Sequence, residues 1–238
     1  FSRKEILKVI RKFRAVAEEI PGFDTLSRKT ARLISEGHVV GWFRGRMEFG
    51  PRALGNRSIL ADARNPAMQK KLNLKVKYRE GFRPFAPSVL MEDVQEYFEF
   101  IDTSPYMLMV APVHRKRRME IPENYHELPC MERLYVPRSD LPAITHIDYS
   151  SRLQTVHRET NPGYWQLIND FKQLTGVGVI INTSFNVRGE PVVCTPEDAY
   201  RCFMRTEMDC LVMEGFLFRK EDQPVWEEKE WRKQVGTD

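Results

Sequence analysis

Apolar residues recur at helical spacing through the first twenty residues of the chain. They are Ile6, Val9, Ile10, Phe13, Ala17 and Ile20. Ser2 and Glu5 stand in the S-x-x-E order of a capping box, and Pro21 with Gly22 follows the last apolar position. The pattern predicts an amphipathic helix over residues 5–20. A shorter stretch of the same period predicts a second helix over residues 27–36.

Short apolar runs predict the strands. They span residues 39–43, 88–91, 106–113, 178–181, 210–213 and 216–218. Residues 106–113 (YMLMVAPV) are almost continuously apolar, which is typical of a strand buried on both faces. Residues 143–148 and 152–157 are predicted to form two further strands, joined by a turn at residues 149–151.

Proline and glycine mark the remaining helices. Asn65 and Asn161 each precede a proline, which is the order of an N-cap followed by Pro at the first helical position. Gly176 ends the second of these helices. Shorter helices are predicted over residues 92–98 and from residue 195 to about 205.

Strands and helices mix along the chain without an internal repeat. The predicted fold class is α/β (α+β), a single domain with a central twisted mixed β-sheet flanked by helices. We assign residues 39–220 to this domain and residues 1–38 to N-terminal helices that link it to a further domain. Residues 114–141 have no clear period and are predicted to form a long excursion. Residues 221–238 are a charged tail whose tryptophans are expected to pack on the domain.

Composition narrows the functional classes. The chain has 238 residues, of which 42% are hydrophobic, enough for a substantial core, but no apolar run is long enough to span a membrane. The N-terminus lacks the apolar core of a secretory signal. A net charge of +4 permits anionic ligands without requiring nucleic acid. The four cysteines show no C-x-x-C spacing, so we expect reduced thiols in a cytoplasmic protein.

Glycines and arginines alternate directly after the first predicted strand. The glycines are Gly45, Gly50 and Gly55, and the arginines are Arg44, Arg46, Arg52 and Arg57. Glycine lets the backbone approach a ligand closely, and the planar guanidinium suits phosphate and carboxylate. The stretch is therefore either a cradle for an anion or a basic surface loop with ordinary turn glycines.

Two other segments have the same polar character. Residues 182–186 (NTSFN) follow an apolar strand, and ligands of open α/β sheets bind at such strand ends. Lys77 and Arg79 form a K-x-R element, while Ser184 and Asn186 form an S-x-N element. These two elements resemble those that together hold the triphosphate of ATP in YrdC-like domains. Either tripeptide alone is a weak signal, and residues 182–186 could equally be a polar turn.

Longer segments carry a specific resemblance. They are GWFRGRMEFGPRALGNRSILAD, FRPFAPSVL and INTSFNVRGEPVVCTPEDA, in that order. Over residues 39–220 the chain resembles the C-terminal domain of the NodU/CmcH group of O-carbamoyltransferases, which serve antibiotic and nodulation-factor biosynthesis. The resemblance implies a YrdC-like domain that converts carbamoyl phosphate and ATP, with Mg²⁺ accompanying the ATP, into carbamoyl-adenylate. It also implies a separate N-terminal domain of the actin-like ATPase superfamily, which transfers the carbamoyl group to an acceptor hydroxyl.

The resemblance implies a role for individual residues. The cations expected to carry catalysis are Arg52, Lys77, Arg83 and Arg152, and the residues expected to bind ATP or carbamoyl phosphate are Arg79, Asn182, Ser184 and Asn186. We expect Lys77, Arg83 and Arg152 to converge with Ser184 on one anion pocket. Because a lysine that binds phosphate need not pack in the core, we expect Lys77 to contribute little to folding.

This residue set suits the implied chemistry. Two anionic substrates must lie side by side, which is costly unless cations compensate their charge. The attacking carbamate oxygen is already an anion, so no general base is required, and catalysis would consist of positioning and charge stabilisation.

Other interpretations stay open. A threonylcarbamoyl-adenylate synthase is the alternative enzyme, and an RNA-binding module is suggested by the HRKRR run at residues 114–118. His146 and Asp148 could ligate a metal but lack a third ligand. Cys194 is interpreted as a small buried thiol rather than a nucleophile. Glu48 could meet Mg²⁺ or Arg52.

Overall fold

The computed structural model describes residues 1–226. Its helices are α1 (Arg3–Phe13), α2 (Phe23–Ser35), α3 (Met68–Lys71), α4 (Val94–Tyr97), α5 (Cys130–Tyr135), α6 (Pro162–Thr175) and α7 (Pro196–Arg205). Its strands are β1 (Glu18–Glu19), β2 (Val40–Phe43), β3 (Arg57–Asp62), β4 (Ala86–Leu90), β5 (Val110–Pro112), β6 (Ser150–Arg152), β7 (Gln154–Val156), β8 (Val179–Ser184), β9 (Cys210–Met213) and β10 (Phe216–Arg219).

Eight strands form one mixed sheet in the order β1-β10-β9-β2-β3-β8-β4-β7. The pairs β2/β9 and β4/β7 are parallel, and the other pairs are antiparallel. A separate two-stranded ribbon joins β5 to β6. The predicted fold class, a central mixed sheet flanked by helices, is therefore confirmed.

Side chains alternate between the two faces of the sheet and build a core on each. Leu60 and Ile180 face α2 and α6, whereas the adjacent Ile59 and Ile181 face α1 and α7. All four are fully buried. The sheet is consequently covered by helices on both faces, and its strand ends are left to the loops.

The capping signals that use proline and glycine correctly predicted two helices. Asn161 accepts a hydrogen bond from the Tyr164 backbone at the start of α6, and Gly176 ends that helix with a φ of 76°. Thr195 caps α7 in the same way. Asn65 instead accepts from the backbone of Ala67 in a tight turn, so the helix begins at Met68 and continues as a π-helix over Leu72–Val76. The predicted helix over residues 92–98 is a 3₁₀ turn (Met91–Asp93) followed by α4.

Three predicted elements were wrong in part or in whole. The first helix is present but ends at Phe13, because Arg14 adopts a φ of 51°, and Glu18–Glu19 joins the sheet edge instead. Residues 106–113 are not a buried strand: Met107 turns the chain with a φ of 56°, Val110–Pro112 pair in the ribbon, and Val113 forms a single bridge to Phe98. Residues 143–148 form turns held by side chains, for Thr145 donates to the backbone oxygen of Leu141.

The turn predicted at residues 149–151 is confirmed at Tyr149, which reverses the chain with a φ of 64°, but Ser150 and Ser151 already belong to β6. In the tail, the indole of Trp226 packs against Phe13 and Tyr200. Trp231 lies outside the described residues. No helix within residues 1–226 is long and apolar enough to cross a bilayer.

Candidate functional site

Strand register brings the predicted site segments to one end of the sheet. Ser58 near the start of β3 is opposite Ser184 at the end of β8, and Ala86 at the start of β4 is opposite Asn182. The loop before β3, the loop before β4 and the loop after β8 therefore meet. Arg152 ends β6 and lies beside them, two residues before Gln154, which pairs with β4. The sheet thus gathers residues that are distant in the sequence.

Two adjoining cavities occupy this end of the sheet. The Arg52 cavity, of about 120 Å³, is lined by Pro51, Arg52, Ala53, Arg79, Pro84, Phe85, Ala86, Met107, Arg152, Asn182, Thr183 and Ser184. The Lys77 cavity, of about 310 Å³, is lined by Lys77, Arg79, Arg83, Ser184, Asn186, Val187, Arg188 and Gly189. Arg79 and Ser184 line both cavities. Neither lining contains a carboxylate, so both cavities are strongly cationic.

Every predicted site residue lines one of these cavities, but the single predicted pocket is divided. Lys77 and Arg83 lie with Ser184 in the Lys77 cavity, whereas Arg152 lies in the Arg52 cavity. The residues expected in one pocket therefore line two adjoining cavities that share Arg79 and Ser184.

Two of the three arginines that line the Arg52 cavity have no hydrogen-bond partner among the described residues. The Nε atoms of Arg52 and Arg152 are buried without a hydrogen-bond partner, and neither side chain forms an ion pair within residues 1–226. Burial, and secondarily the neighbouring Arg52, lowers the pKa of Arg152. Two like charges that lack a counter-ion indicate a site for an anion that enters from solution.

The cation of Lys77 is instead bound by the protein. Its side chain is only 4% exposed, and Nζ donates to the backbone oxygens of Ser184 (2.5 Å) and Asn186 (2.9 Å) and to Oδ1 of Asn186 (2.8 Å). Burial lowers the pKa of Lys77 to about 7. Three oxygen acceptors match the three N–H groups of an ammonium, so these hydrogen bonds oppose the effect of burial. The expectation that Lys77 contributes little to the fold is wrong.

Arg79 is held in a fixed orientation between the cavities. Its Nε donates to Oδ1 of Asn73 (2.7 Å), and its guanidinium lies 5.0 Å from the ring centroid of Phe85. Burial, with a smaller contribution from Arg83, lowers the pKa of Arg79 to about 10. The side chain therefore remains charged near neutral pH.

The loop that carries Arg52 is organised by Glu48. Its Oε1 accepts hydrogen bonds from the backbone N–H groups of Leu54 (2.7 Å) and Asn56 (2.8 Å). Arg57, which looked equivalent to Arg52 in the sequence, is 1% exposed, stacks on Phe43 and donates to the backbone oxygens of Arg44 and Asn56. Of the arginines in this stretch, Arg57 is thus structural, and Arg52 lines the cavity.

Sequence reasoning missed four residues of the site. Asn73 positions Arg79, Arg188 lines the Lys77 cavity, Met107 lines the Arg52 cavity, and Gln154 bonds to Asn182. The S-x-N element extended by two residues would have pointed to Arg188. The other three carry no local signal, because each reaches the site through the fold.

The remaining candidates stay apart from this chemistry. His146 and Asp148 bond to the hydroxyl of Ser150, and burial lowers the pKa of His146. Within residues 1–226 no three acidic, histidine or cysteine side chains are grouped as a metal site. Cys194 is exposed, so the prediction of a buried thiol is wrong, and it is a free cysteine.

Comparison with known proteins shows which family the chain resembles over most of its length. The family model described as "Carbamoyltransferase C-terminus" matches residues 31–220. An uncharacterized protein of Synechocystis sp. is 58% identical over 90% of the chain. The nodulation protein NolNO of Sinorhizobium fredii is 44% identical over 85% of the chain, and 3'-hydroxymethylcephem-O-carbamoyltransferase of Streptomyces clavuligerus is 37% identical over 75%.

Each of these relatives is much longer than the matched region. The alignments cover 35%, 27% and 30% of their respective lengths. Among solved structures, Sua5 of P. abyssi, crystallised with L-threonine, superposes with a TM-score of 0.54 at 16% identity, covering 81% of this chain and 47% of that one. That similarity supports the fold alone.

Proposed function

The chain belongs to the carbamoyltransferase C-terminus family, and on that premise we propose that it binds ATP and carbamoyl phosphate and forms carbamoyl-adenylate. Transfer of the carbamoyl group to an acceptor hydroxyl would take place in a separate domain of the longer protein. The observation that carries the proposal is the pair of adjoining cationic cavities, in which Arg52 and Arg152 have no counter-ion from residues 1–226.

The two cavities match two anionic substrates. The K-x-R and S-x-N elements contribute Lys77, Arg79, Ser184 and Asn186 to the Lys77 cavity, which we assign to the triphosphate of ATP. The Arg52 cavity is smaller and takes carbamoyl phosphate. Because the cavities share Arg79 and Ser184, their ligands would lie against one another, with the reacting groups near this boundary.

The proposed reaction balances in two steps. Water releases phosphate from carbamoyl phosphate and leaves carbamate. A carbamate oxygen then attacks the α-phosphorus of ATP, and the bond to the leaving pyrophosphate breaks. Charge accumulates on the phosphoryl oxygens in the second step, where Arg79 and its neighbours would stabilise it. ATP would enter as its magnesium complex, with the ion held mainly by phosphate oxygens.

Pyrophosphate release tests the proposal. We expect release when ATP and carbamoyl phosphate are both present, and none when either is omitted. Pyrophosphate release that does not require carbamoyl phosphate would indicate simple hydrolysis of ATP and contradict the proposal. If the 238-residue chain releases none, the same assay is run on the full-length protein with and without the Lys77→Met substitution, and full activity of that variant would remove Lys77 from the site.

The same ligands separate this function from an RNA-binding one. ATP with carbamoyl phosphate should raise the melting temperature of the chain, whereas single-stranded RNA should not. A larger stabilisation by RNA, lost steeply with added salt, would favour the RNA-binding interpretation.

A further inference from the structure

A buried network of amide side chains lies behind the Arg52 cavity. Gln154 is 4% exposed and Asn182 is 1% exposed. Gln154 Nε2 donates to the backbone oxygen of Leu54 (2.9 Å), and Asn182 Nδ2 donates to the backbone oxygen of Ala53 (3.1 Å). The two side chains are joined by a hydrogen bond from Asn182 Nδ2 to Gln154 Oε1 (2.8 Å).

The backbone determines which way both amides face. A backbone carbonyl can only accept, so the side-chain atoms that meet the oxygens of Leu54 and Ala53 must be the NH₂ groups. Gln154 Oε1 consequently faces Asn182 and also accepts from the hydroxyl of Ser88 (2.6 Å). Both N–H bonds of the Asn182 amide are then used within the protein.

Asn182 therefore offers the cavity an acceptor and no donor. Its Oδ1 is buried and has no partner within the described chain. The other polar groups without a partner in this cavity, the Nε atoms of Arg52 and Arg152, are donors. A buried acceptor without a partner is unfavourable, and the penalty is removed when a donor reaches it.

Carbamoyl phosphate has one kind of hydrogen-bond donor. Its phosphate and carbonyl oxygens accept, and only its NH₂ group donates. The arginines can therefore bind the oxygens, but only the NH₂ group can satisfy Asn182 Oδ1. Acetyl phosphate has the same charge and nearly the same shape, yet places a methyl group where carbamoyl phosphate has NH₂.

We infer that Gln154 is a positioning residue: it holds the Asn182 amide so that Oδ1 accepts from the substrate NH₂ group and selects carbamoyl over other acyl phosphates. The inference rests on the proposed binding of carbamoyl phosphate. Under this inference Asn182 contacts the NH₂ group of carbamoyl phosphate and not its phosphate group. A site with a buried hydrogen-bonding group rejects an analogue that lacks the matching group, because that group is left unpaired.

Titration calorimetry of the 238-residue chain with carbamoyl phosphate and acetyl phosphate tests the inference. We expect the unsubstituted chain to bind carbamoyl phosphate about 10–100-fold more tightly than acetyl phosphate. Comparable affinities for the two ligands would overturn the inference and leave the proposed function standing. Binding of neither ligand by this chain or by the full-length protein would remove the proposed function, and the inference with it.

Substitutions at Gln154 separate positioning from a general structural role. Gln154→Leu should lower the affinity for carbamoyl phosphate at least fivefold more than the affinity for acetyl phosphate, because the Asn182 amide loses the acceptor that orients it. Gln154→Glu keeps an oxygen for Asn182 Nδ2 but turns its second oxygen toward the backbone oxygen of Leu54, so the ratio of the two affinities should recover only in part. An equal loss for both ligands in Gln154→Leu would overturn the inference.

Ser88→Ala is the matched control. Its hydroxyl bonds to the same Gln154 Oε1 but has no hydrogen bond to Asn182. The substitution should leave the ratio of affinities unchanged. A ratio lowered in Ser88→Ala as much as in Gln154→Leu would indicate a loosened core and contradict the specific role of Gln154.

Discussion

The two cavities contain similar cations in opposite situations. Arg52 and Arg152 have buried donors that bond to nothing within residues 1–226. In the Lys77 cavity the ammonium of Lys77 bonds to three oxygens of the loop after β8, and Arg83 pairs with Glu80 at 3.1 Å. Arg52 and Arg152 can therefore bind a ligand directly, whereas Lys77 and Arg83 already bind oxygens of the protein.

This difference separates binding from folding. An anion that enters the Arg52 cavity relieves charge repulsion and satisfies unpaired donors, so the ligand stabilises a site that is already formed. An anion that enters the Lys77 cavity must compete with existing acceptors, or add to them as the loop rearranges. We therefore expect substitutions in the two cavities to have different effects on stability, on affinity and on pH dependence.

The largest expected effect is on stability. Lys77→Met should lower the free energy of unfolding by roughly 3 kcal/mol, because it leaves the oxygens of Ser184 and Asn186 without their shared donor. Arg152→Ala should change it by less than about 0.5 kcal/mol, because no protein group depends on that guanidinium. Urea denaturation of both variants measures the contrast. Equal losses would mean that the two cavities do not differ as described.

The next effect is on affinity. Arg52→Ala should lower the affinity for carbamoyl phosphate roughly 10–100-fold and the affinity for ATP by much less. The substitution removes charge-assisted hydrogen bonds from one cavity only. Arg52→Lys should recover this only in part, because a point charge lacks the bidentate fork. Calorimetry with each ligand provides the measurement. Arg46→Ala, an exposed arginine of the same loop that lines neither cavity, controls for the change in net charge. A similar loss for ATP and carbamoyl phosphate would count against the assignment of Arg52.

Sequence reasoning predicted the sheet, and every residue it named for the site lines one of the two cavities, but it could not distinguish these two situations. Proline caps and buried apolar runs depend on local chemistry, so α6, α7 and β8–β10 were predicted well. The run at residues 106–113 misled because hydrophobicity does not show whether a partner strand is present. Tyr106 and Leu108 are 65% and 67% exposed at the surface beside the ribbon.

The roles of the cations depend on contacts that the sequence does not show. Arg52 and Arg57 are five residues apart in one motif, and only strand register determines that Arg57 turns inward. Lys77 meets Ser184 and Asn186 across more than a hundred residues. The resemblance to a known family could therefore indicate which residues gather at the site, but not which of them the protein already uses.

A smaller effect concerns pH. The unfolded chain holds the Lys77 proton up to about pH 10.5, whereas burial lowers the pKa in the folded chain to about 7, so this group adds stability as pH rises through that window. An ATP phosphate would bind the protonated form. The Kd of ATP, as its magnesium complex, should therefore rise about fivefold between pH 7 and 8. Carbamoyl phosphate should show less than a twofold change, because Lys77 does not line the cavity assigned to it. Titrations at the two pH values check this, and a flat ATP profile would mean that Lys77 does not titrate on binding.

The smallest expected effect comes from a substitution that removes the carboxylate partner of Arg83, so that this cation lacks a counter-ion among the described residues, as Arg52 and Arg152 do. Glu80 pairs with Arg83 at 3.1 Å and with Arg188 at 3.1 Å, and it is the carboxylate that both share. Glu80→Gln removes its charge while keeping its size, so Arg83 loses a competitor for phosphate. The pair is exposed to water, which weakens it, and the affinity for ATP should rise by only about two- to threefold.

Glu207→Gln is the matched control for this last prediction, because Glu207 pairs with Lys75 at 2.9 Å and lines neither cavity. Both substitutions change the net charge equally, so a gain in Glu80→Gln alone would come from the local competition. The gain should shrink as salt is added, since salt screens an exposed pair. If Glu80→Gln instead lowers the affinity for ATP, the carboxylate of Glu80 orients Arg83 toward the ligand and does not compete with the ligand for it.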